Sequence, residues 1–493
     1  MDFKHVPKKP KKKVELDVAH LDHTDKIKLI YLLQEKNILW EEKYFQLEAR
    51  FKILESKLAK NSSNSSKPPS SDKNNPGNKK EKLKKTTSTR EKSGKKPGGQ
   101  EGHKGSHLKM SSSPDETIRL EVDSCAHCNN TLANVKSTTE ARQEFEIPEP
   151  KIHVTEYQAE HKHCKKCGYT TAACFPENLT HQTQYGPRAK SLMVYMNQYQ
   201  LIPFKRASEF FETVYNHKIS PGTIVNAVSL ISSRFSKVNN EIKTLLINES
   251  LVHVDETGSN ISGNKKWMHV VGNEKLTHYA IHDKRGRKAS EEIGILPRFK
   301  GTMIHDHWKT YFTYKDATHG LCNAHHLREL RFIFEHNNIK WAKEMSDFLI
   351  KTNEYKTLLL QSGKNRMPKK KLQACLDTYD DILNKANREH RRRVTKDSKN
   401  LLKRFKRYKD CVLLFMSDFS VPFTNNPAEQ DLRMNKVKQK ISGCFRNKSG
   451  GDDFCKIRSV ISTTKKNKKN IFSTLQKAFY KIISTDDLLI DTS

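Results

Sequence analysis

The chain has 493 residues, only 35% of them hydrophobic, against roughly 45–50% in an ordinary globular domain. It is therefore read as several domains, with part of its length outside any packed core. Ninety Lys and Arg against 56 Asp and Glu leave a formal charge of +34, which favours a polyanionic partner over a merely lysine-rich solvated surface. No run approaches the ~18 apolar residues of a membrane span, and a lysine run rather than an apolar segment follows Met1. Membrane association is excluded on this reading, and a soluble protein of a reducing compartment is expected. The ten cysteines then serve as metal ligands or free thiols rather than as a disulfide framework.

Residues 20–60 carry a heptad seam. Ile30, Asn37, Tyr44, Phe51 and Leu58 share one position, and Leu33, Trp40, Leu47 and Leu54 the other. A polar Asn within such a seam fixes register and oligomer state. A single amphipathic helix packed on its own domain has the same stripe. The linker that follows favours the coiled coil, and with it a homo-oligomer. Residues 61–114 form that linker. Between Lys60 and Met110 fourteen Lys and Arg accompany four acids, with almost nothing to bury, so disorder is expected. A cationic tether of this kind holds phosphates without reading bases.

Residues 115–184 contain Cys125-Ala-His-Cys128 and Cys164-Lys-Lys-Cys167, with 35 residues between the pairs. Two such knuckles are the usual framework of a closed tetrahedral zinc site. Alternation from Gln143 to Tyr157 predicts strands, as in a zinc ribbon. His127, His161 and His163 are alternative ligands.

Residues 185–245 read as helical, with one helix over 188–200, a second from Phe204 and a third capped by Ser220 with Pro221 in its first turn. A helix pair joined by a short turn fits either a DNA reader, with Lys205 and Arg206 on its surface, or a hairpin that only packs.

From 246 the pattern becomes β-rich, with runs at Leu251–Val254, Trp267–Val271, His278–Ile281 and Thr302–His305, then charged helix from Cys322 to about Met416. The expected fold class is multi-domain α/β. Asp255 closes the first run and Asp306 the last, while Glu429 opens a late helix that also carries Arg433, Lys436 and Lys440. Two carboxylates at strand ends and a third on a helix suit a two-metal phosphoryl-transfer site. Alone, a carboxylate after a β run reads more readily as a solvated acid, and Glu429 fits a salt-bridged solvent face with Arg433 and Lys436. Glu256 rivals Asp255, but alternation along a strand lets only one of them enter a site.

In order and content the chain resembles the IS66 family of insertion-sequence transposases. The resemblance rests on Val254-Asp255-Glu256-Thr257, Asp306-His307-Trp308-Lys309-Thr310-Tyr311, Cys322-Asn323-Ala324-His325, Asn425-Asn426-Pro427-Ala428-Glu429-Gln430-Asp431-Leu432-Arg433 and Gly443-Cys444-Phe445-Arg446-Asn447. It implies an RNase H-like DDE catalytic core over 246–465 with a helical insertion at about 325–415, then a C-terminal helix and tail over 466–493. Asp255, Asp306 and Glu429 become ligands of two Mg²⁺ ions, with Mn²⁺ as a substitute. Cys125, Cys128, Cys164 and Cys167 become ligands of structural Zn²⁺. Cys322 and His325 match an accessory Cys-x-x-His element that either shapes the site's flank or contacts metal. Arg433, Lys436 and Lys440 are positioned for transposon-end phosphates.

The implied partners are double-stranded DNA, as terminal repeats and target, and accessory transposition proteins. The implied location is the bacterial cytoplasm, at the nucleoid. Two rivals remain at this point: a non-catalytic DNA-binding relative, and an RNase H-like nuclease acting on branched DNA or RNA hybrids.

Overall fold

A computed structural model describes residues 20–60, 105, 107–390 and 395–489. Most of the predicted linker lies outside the described residues. Two compact units separate, one containing residues 107–173 and 209–218, the other containing 20–60, 174–208 and 219–489 among its described residues.

Helix α1 (His23–Ala59) is continuous and starts at Asp22, whose carboxylate accepts from the Asp25 N–H. The predicted seam runs along it, and Ile30, Leu33, Trp40, Tyr44, Leu47, Phe51 and Leu54 are 48% to 68% exposed.

The cysteine-rich unit has little regular structure. Strands β1 (His161–His163) and β2 (Thr170–Ala172) form a short antiparallel hairpin. The strand predicted between Gln143 and Tyr157 is absent. Ile147 and Val154 on that stretch are more than 80% exposed, so alternation there has no second layer to bury against and no partner strand to bond.

In the larger unit, α2 (Pro187–Val194) passes into a π-helical turn over Tyr195–Tyr199, ending at Leu201 with φ +61°. The single helix expected over 188–200 is thus a helix with a widened last turn. Helices α3 (Phe204–Tyr215), of which only residues 204–208 fall in this unit, α4 (Pro221–Arg234) and α5 (Ser236–Ile247) follow. Ser220 caps α4 as expected, accepting from the Thr223 N–H at 3.1 Å. Ile224, Ala227, Val228 and Ile231 bury one face of α4.

A five-stranded sheet is the centre of this unit: β3 (Leu251–Ile261), β4 (Asn264–Gly272), β5 (Thr277–His282), β6 (Thr302–His305) and β7 (Thr318–Leu321), in the order β5-β4-β3-β6-β7. The first three are antiparallel, and β6 and β7 run parallel to β3. Strand β3 extends well beyond Val254, so Asp255 sits within a strand rather than at its end. The cause is the two-residue turn Ser262–Gly263, both at positive φ (+50° and +80°), the geometry that matches strand twist in a tight hairpin. Strand β7, unanticipated, is a four-residue piece containing Gly320.

The rest is helical: α6 (Arg287–Ile293), α7 (Asn323–Asn337), α8 (Lys340–Gln361), α9 (Lys369–His390), α10 (Lys396–Arg407), α11 (Lys409–Ser417), α12 (Asn426–Ser442), α13 (Lys448–Lys466) and α14 (Ile471–Tyr480). One apolar core joins Ile304 and Leu321 of the sheet to α7–α11 through Trp341, Tyr379 and Phe405. A second joins Met268, Val270 and Tyr279 to Ala428 and Leu432 of α12 and Phe454 of α13. The helical segment between β7 and α12 therefore has its own core, and the sheet is clamped between that core and α12–α13. Among the described residues no helix is long and apolar enough to cross a membrane.

Gly301 marks where β6 enters the sheet. A Cβ there would lie 2.5 Å from the Ser250 carbonyl oxygen and 2.6 Å from that of Glu249, while Thr302 N–H donates to Ser250 O at 2.7 Å. The neighbours are backbone and cannot rotate away. Gly301→Ala is expected to destabilise the larger unit by about 1–3 kcal/mol, the usual range for overpacking, read as a lowered denaturation midpoint. An unchanged midpoint would mean that β6 shifts freely.

Candidate active site

Asp255 on β3 and Asp306 just after β6 lie on adjacent parallel strands. The two are held alike. Asp255 Oδ1 accepts the Glu256 N–H and Asp306 Oδ1 the Trp308 N–H, each at 2.8 Å. One oxygen of each carboxylate is thus fixed by backbone, leaving the other for a ligand.

Glu429 reaches the same region from the first turn of α12, where the helix N-terminus favours an anion. Its placement depends on Asn425. This N-cap residue makes no side-chain cap bond. Its amide instead donates to Val254 O and its Oδ1 accepts from His253 Nδ1, both at 2.8 Å, while its own N–H donates to Cys322 Sγ at 3.1 Å. One residue ties the start of α12 to β3 beside Asp255 and to the end of β7. The Asn-Asn-x-Ala-Glu string was visible in the sequence, but nothing in it signalled that Asn425 would turn its side chain away from its own helix.

All three carboxyls are raised, Asp255 in part by the other two and Glu429 in part by Asp306. Burial, then Glu256, Asp306 and Glu429, push Asp255 well above the ordinary carboxylate range. Burial and then Glu256 push Asp306 up to about 6. Glu429 is raised by burial, partly offset by Arg328 and Arg433. Hard oxygen donors whose charges repel in a desolvated site suit a divalent cation such as Mg²⁺. The surrounding imidazoles do not compete as cations: burial depresses His305, His307 and His325 to about 3 and holds His326 well below the ordinary imidazole range.

Glu256 is not a solvated rival. Its side chain is buried, with Arg285 at 2.6 Å and the Tyr311 hydroxyl donating to it. Arg285 in turn lies 3.7 Å above the Trp308 ring. The guanidinium neutralises this fourth carboxylate, a role that an Arg so distant in sequence did not signal.

Of the predicted phosphate contacts, Lys436 donates to Gly258 O at 2.7 Å and is half-buried, so it braces β3. Arg433 is close enough to Glu429 to lower its pKa. Lys440 lies in the last turn of α12, and Lys205 and Arg206 are exposed on the first turn of α3. Asp431 is committed elsewhere, accepting from Lys466 at 2.8 Å and Thr277 at 3.2 Å.

In the cysteine-rich unit each pair forms a local knuckle. Cys125 O accepts from Asn129 N and Cys164 O from Gly168 N, both at 2.9 Å, with Asn129 and Gly168 at positive φ. Backbone N–H groups of Cys128 and Cys167 lower the Cys125 and Cys164 thiols, the local environment that zinc thiolates need. No three of the four thiols come within 4.8 Å of one another. Among the described residues, Cys322, His325 and Glu429 alone converge to that degree.

With the geometry in place, comparison with known families is decisive. Residues 182–453 match the Transposase IS66 family, more than half of the chain. The chain belongs to the IS66 family of transposases. Residues 123–168 match the zinc-finger binding domain of transposase IS66, which supports a structural zinc, and residues 25–109 match a family of unknown function, DUF6444. Among curated proteins none matches the chain.

Two expectations follow for this transposase. Asp306 titrates higher folded than unfolded, so its contribution to stability is greatest in acid and is lost as pH rises from about 4 through about 6. Asp306→Asn should therefore raise the melting temperature of the metal-free protein at pH 7 by a few degrees, on the order expected for 1–2 kcal/mol, and flatten the difference between pH 4 and 7. A melt series in chelator with the same slope for both proteins would contradict this. Cys164→Ser should release zinc, measured by elemental analysis, and expose the 115–180 region to proteolysis; a variant with full zinc content would exclude the cysteine pairs as its ligands.

Proposed function

We propose that this IS66 transposase is a DDE enzyme, cutting and joining DNA strands at Asp255, Asp306 and Glu429 in an RNase H-like core. The observation that carries the reading is the placement of Asp255 and Asp306 on adjacent parallel strands, with Asn425 tying the start of the Glu429 helix to β3 beside Asp255. A protein that only binds DNA gains nothing from three desolvated acids held together by Asn425. The strand order β5-β4-β3-β6-β7, three antiparallel strands followed by two parallel ones, supports the same core.

Two Mg²⁺ ions, or Mn²⁺, at these carboxylates would activate the nucleophile and stabilise the leaving oxygen. The protein's part is positioning and exclusion of competing charge. Asp255 and Asp306 keep one oxygen fixed by backbone and present the other. Glu429 closes the set from α12. Neutral imidazoles line the flank without offering a rival cation. In the first step water attacks the phosphorus at the element's end, the P–O3′ bond breaks, and a free 3′-hydroxyl remains. In the second step that hydroxyl attacks a target phosphodiester, forming a new P–O bond as the target's own 3′-oxygen leaves with the proton. No covalent enzyme intermediate is needed.

Double-stranded DNA is the partner that the +34 charge fits. Arg433 and Lys440 on α12, with Lys205 and Arg206 on α3, are assigned to phosphates of the element's ends. The exposed seam of α1 is assigned to self-association as a coiled coil. Accessory transposition proteins would join the same assembly.

The direct test is Mg²⁺-dependent cleavage and joining of a labelled duplex carrying the DNA that flanks this gene. Wild type should give joined product. Glu429→Gln should lose strand transfer by at least about 10³-fold, in line with the loss of a group acting in the transition state, while end binding changes less than about threefold. Equal loss of binding and joining would make Glu429 structural. Binding without cutting by both proteins would favour a DNA-binding relative.

A further inference from the structure

Glu429 has a second set of neighbours. Cys322 ends the β7 segment and stands at the N-cap of α7, with His325 in the first turn of that helix. Cys322 Sγ, a His325 ring nitrogen and a Glu429 carboxylate oxygen all lie within 4.8 Å of one another.

Two of these atoms lack partners. His325 Nδ1 and Glu429 Oε1 are out of contact with solvent and make no hydrogen bond. They face each other at 3.7 Å, too far for a hydrogen bond. Arg328 approaches Oε1 only to 4.0 Å. Such orphaned atoms are costly unless something occupies the space between them. Tetrahedral zinc with bonds of ~2.0–2.3 Å separates its donors by about 3.3–3.8 Å, and the His325–Glu429 spacing falls in that range. The Asn425 N–H at 3.1 Å from Sγ is a donor in place for a metal-bound sulfur, although burial holds the metal-free thiol protonated. A cavity of about 230 Å³ opens against Cys322 and His325 on the Asp306 side, leaving room for water as a fourth donor.

We propose that Cys322, His325 and Glu429 form a binding site for a borderline divalent cation, Zn²⁺ by its donor set, separate from the cysteine knuckles and sharing Glu429 with the acidic pair. Sulfur and imidazole exclude Mg²⁺ as the preferred occupant. Binding releases the thiol proton to solvent and leaves a thiolate–metal bond. Because Glu429 serves both sets, loading of this site draws the third carboxylate away from Asp255 and Asp306. That consequence rests on the transposase mechanism proposed above; the binding itself does not.

Cobalt is the probe, since a thiolate–Co²⁺ bond gives intense near-ultraviolet charge-transfer absorption that an all-oxygen site cannot. The full chain, with its zinc content measured beforehand, is titrated with Co²⁺ alongside Cys322→Ser, His325→Gln and Glu429→Gln. Wild type should develop absorption equivalent to one further cobalt per chain, Cys322→Ser should lose it, and the other two should bind cobalt about tenfold or more weakly. Cobalt entering the knuckles would persist in Cys322→Ser and cancel in the difference. If Cys322→Ser does not fold, the His325→Gln and Glu429→Gln affinities decide. No absorption in wild type, equal absorption in Cys322→Ser, or unchanged affinity in both other variants overturns the site. DNA joining without the cobalt signal would refute this inference and leave the transposase mechanism standing; the signal without joining would do the reverse.

Discussion

The geometry of this site depends on Asn425. An asparagine before a proline-containing first helical turn ordinarily accepts from the helix's own N–H groups. Here its side chain and its N–H go sideways, into His253, Val254 and Cys322, and only its carbonyl serves the helix, accepting from the Glu429 N–H at 3.3 Å. The cost is an uncapped α12; the gain is that a helix arriving after a long all-helical segment is registered against β3 within one residue of Asp255. Glu429, one turn along, inherits that registration. The cap forgone is worth about 1 kcal/mol, less than the penalty of leaving two buried backbone or side-chain groups unsatisfied at about 1–3 kcal/mol each, so the sideways arrangement prevails.

Around this anchor the charges are sorted. Four carboxylates gather around the middle of β3, the end of β6 and the start of α12, yet only Glu256 has a full counter-ion, in Arg285. Arg404 is taken up by Glu329, and the imidazoles beside Asp306 are neutralised by burial. Asp255, Asp306 and Glu429 are therefore left under-compensated in a chain of +34. A cationic chain draws in a polyanion, while under the proposed mechanism its small acidic centre would admit that polyanion only with divalent cations bound. Neither property alone is informative; their opposition within one chain is.

Much of this was legible in the sequence because it lies in local patterns. The heptad seam, the paired Cys-x-x-Cys knuckles, the Ser220–Pro221 helix start and the apolar runs of the sheet depend on neighbours in the chain. What was illegible depends on distant partners. The Gln143–Tyr157 alternation lacked a second layer, so no strand formed. Strand β7 is too short and too glycine-containing to read, and exists because β6 offers it an edge. Asp255 read as a strand end since the apolar run stops at Val254, but a strand continues for as long as its hairpin partner does, and Trp267–Val270 pair with Gly258–Asp255. The role of Asn425 and the burial of Glu256 were invisible for the same reason.

The pairing of Asp255 with Glu256 shows how adjacent acids can take different parts. Alternation sends their side chains to opposite sides of β3. On one side, Glu256 meets Arg285 and the Tyr311 hydroxyl, and Arg285 rests on Trp308, whose own N–H holds Asp306 Oδ1. The neutralised acid thus fixes the loop that carries Asp306. On the other side, Asp255 has no cation of its own. Exchanging the two residues would place the shorter carboxylate against Arg285 and the longer one beside Asp306, breaking the brace and crowding the acidic pair together. The order Asp-Glu at 255–256 is therefore a structural requirement.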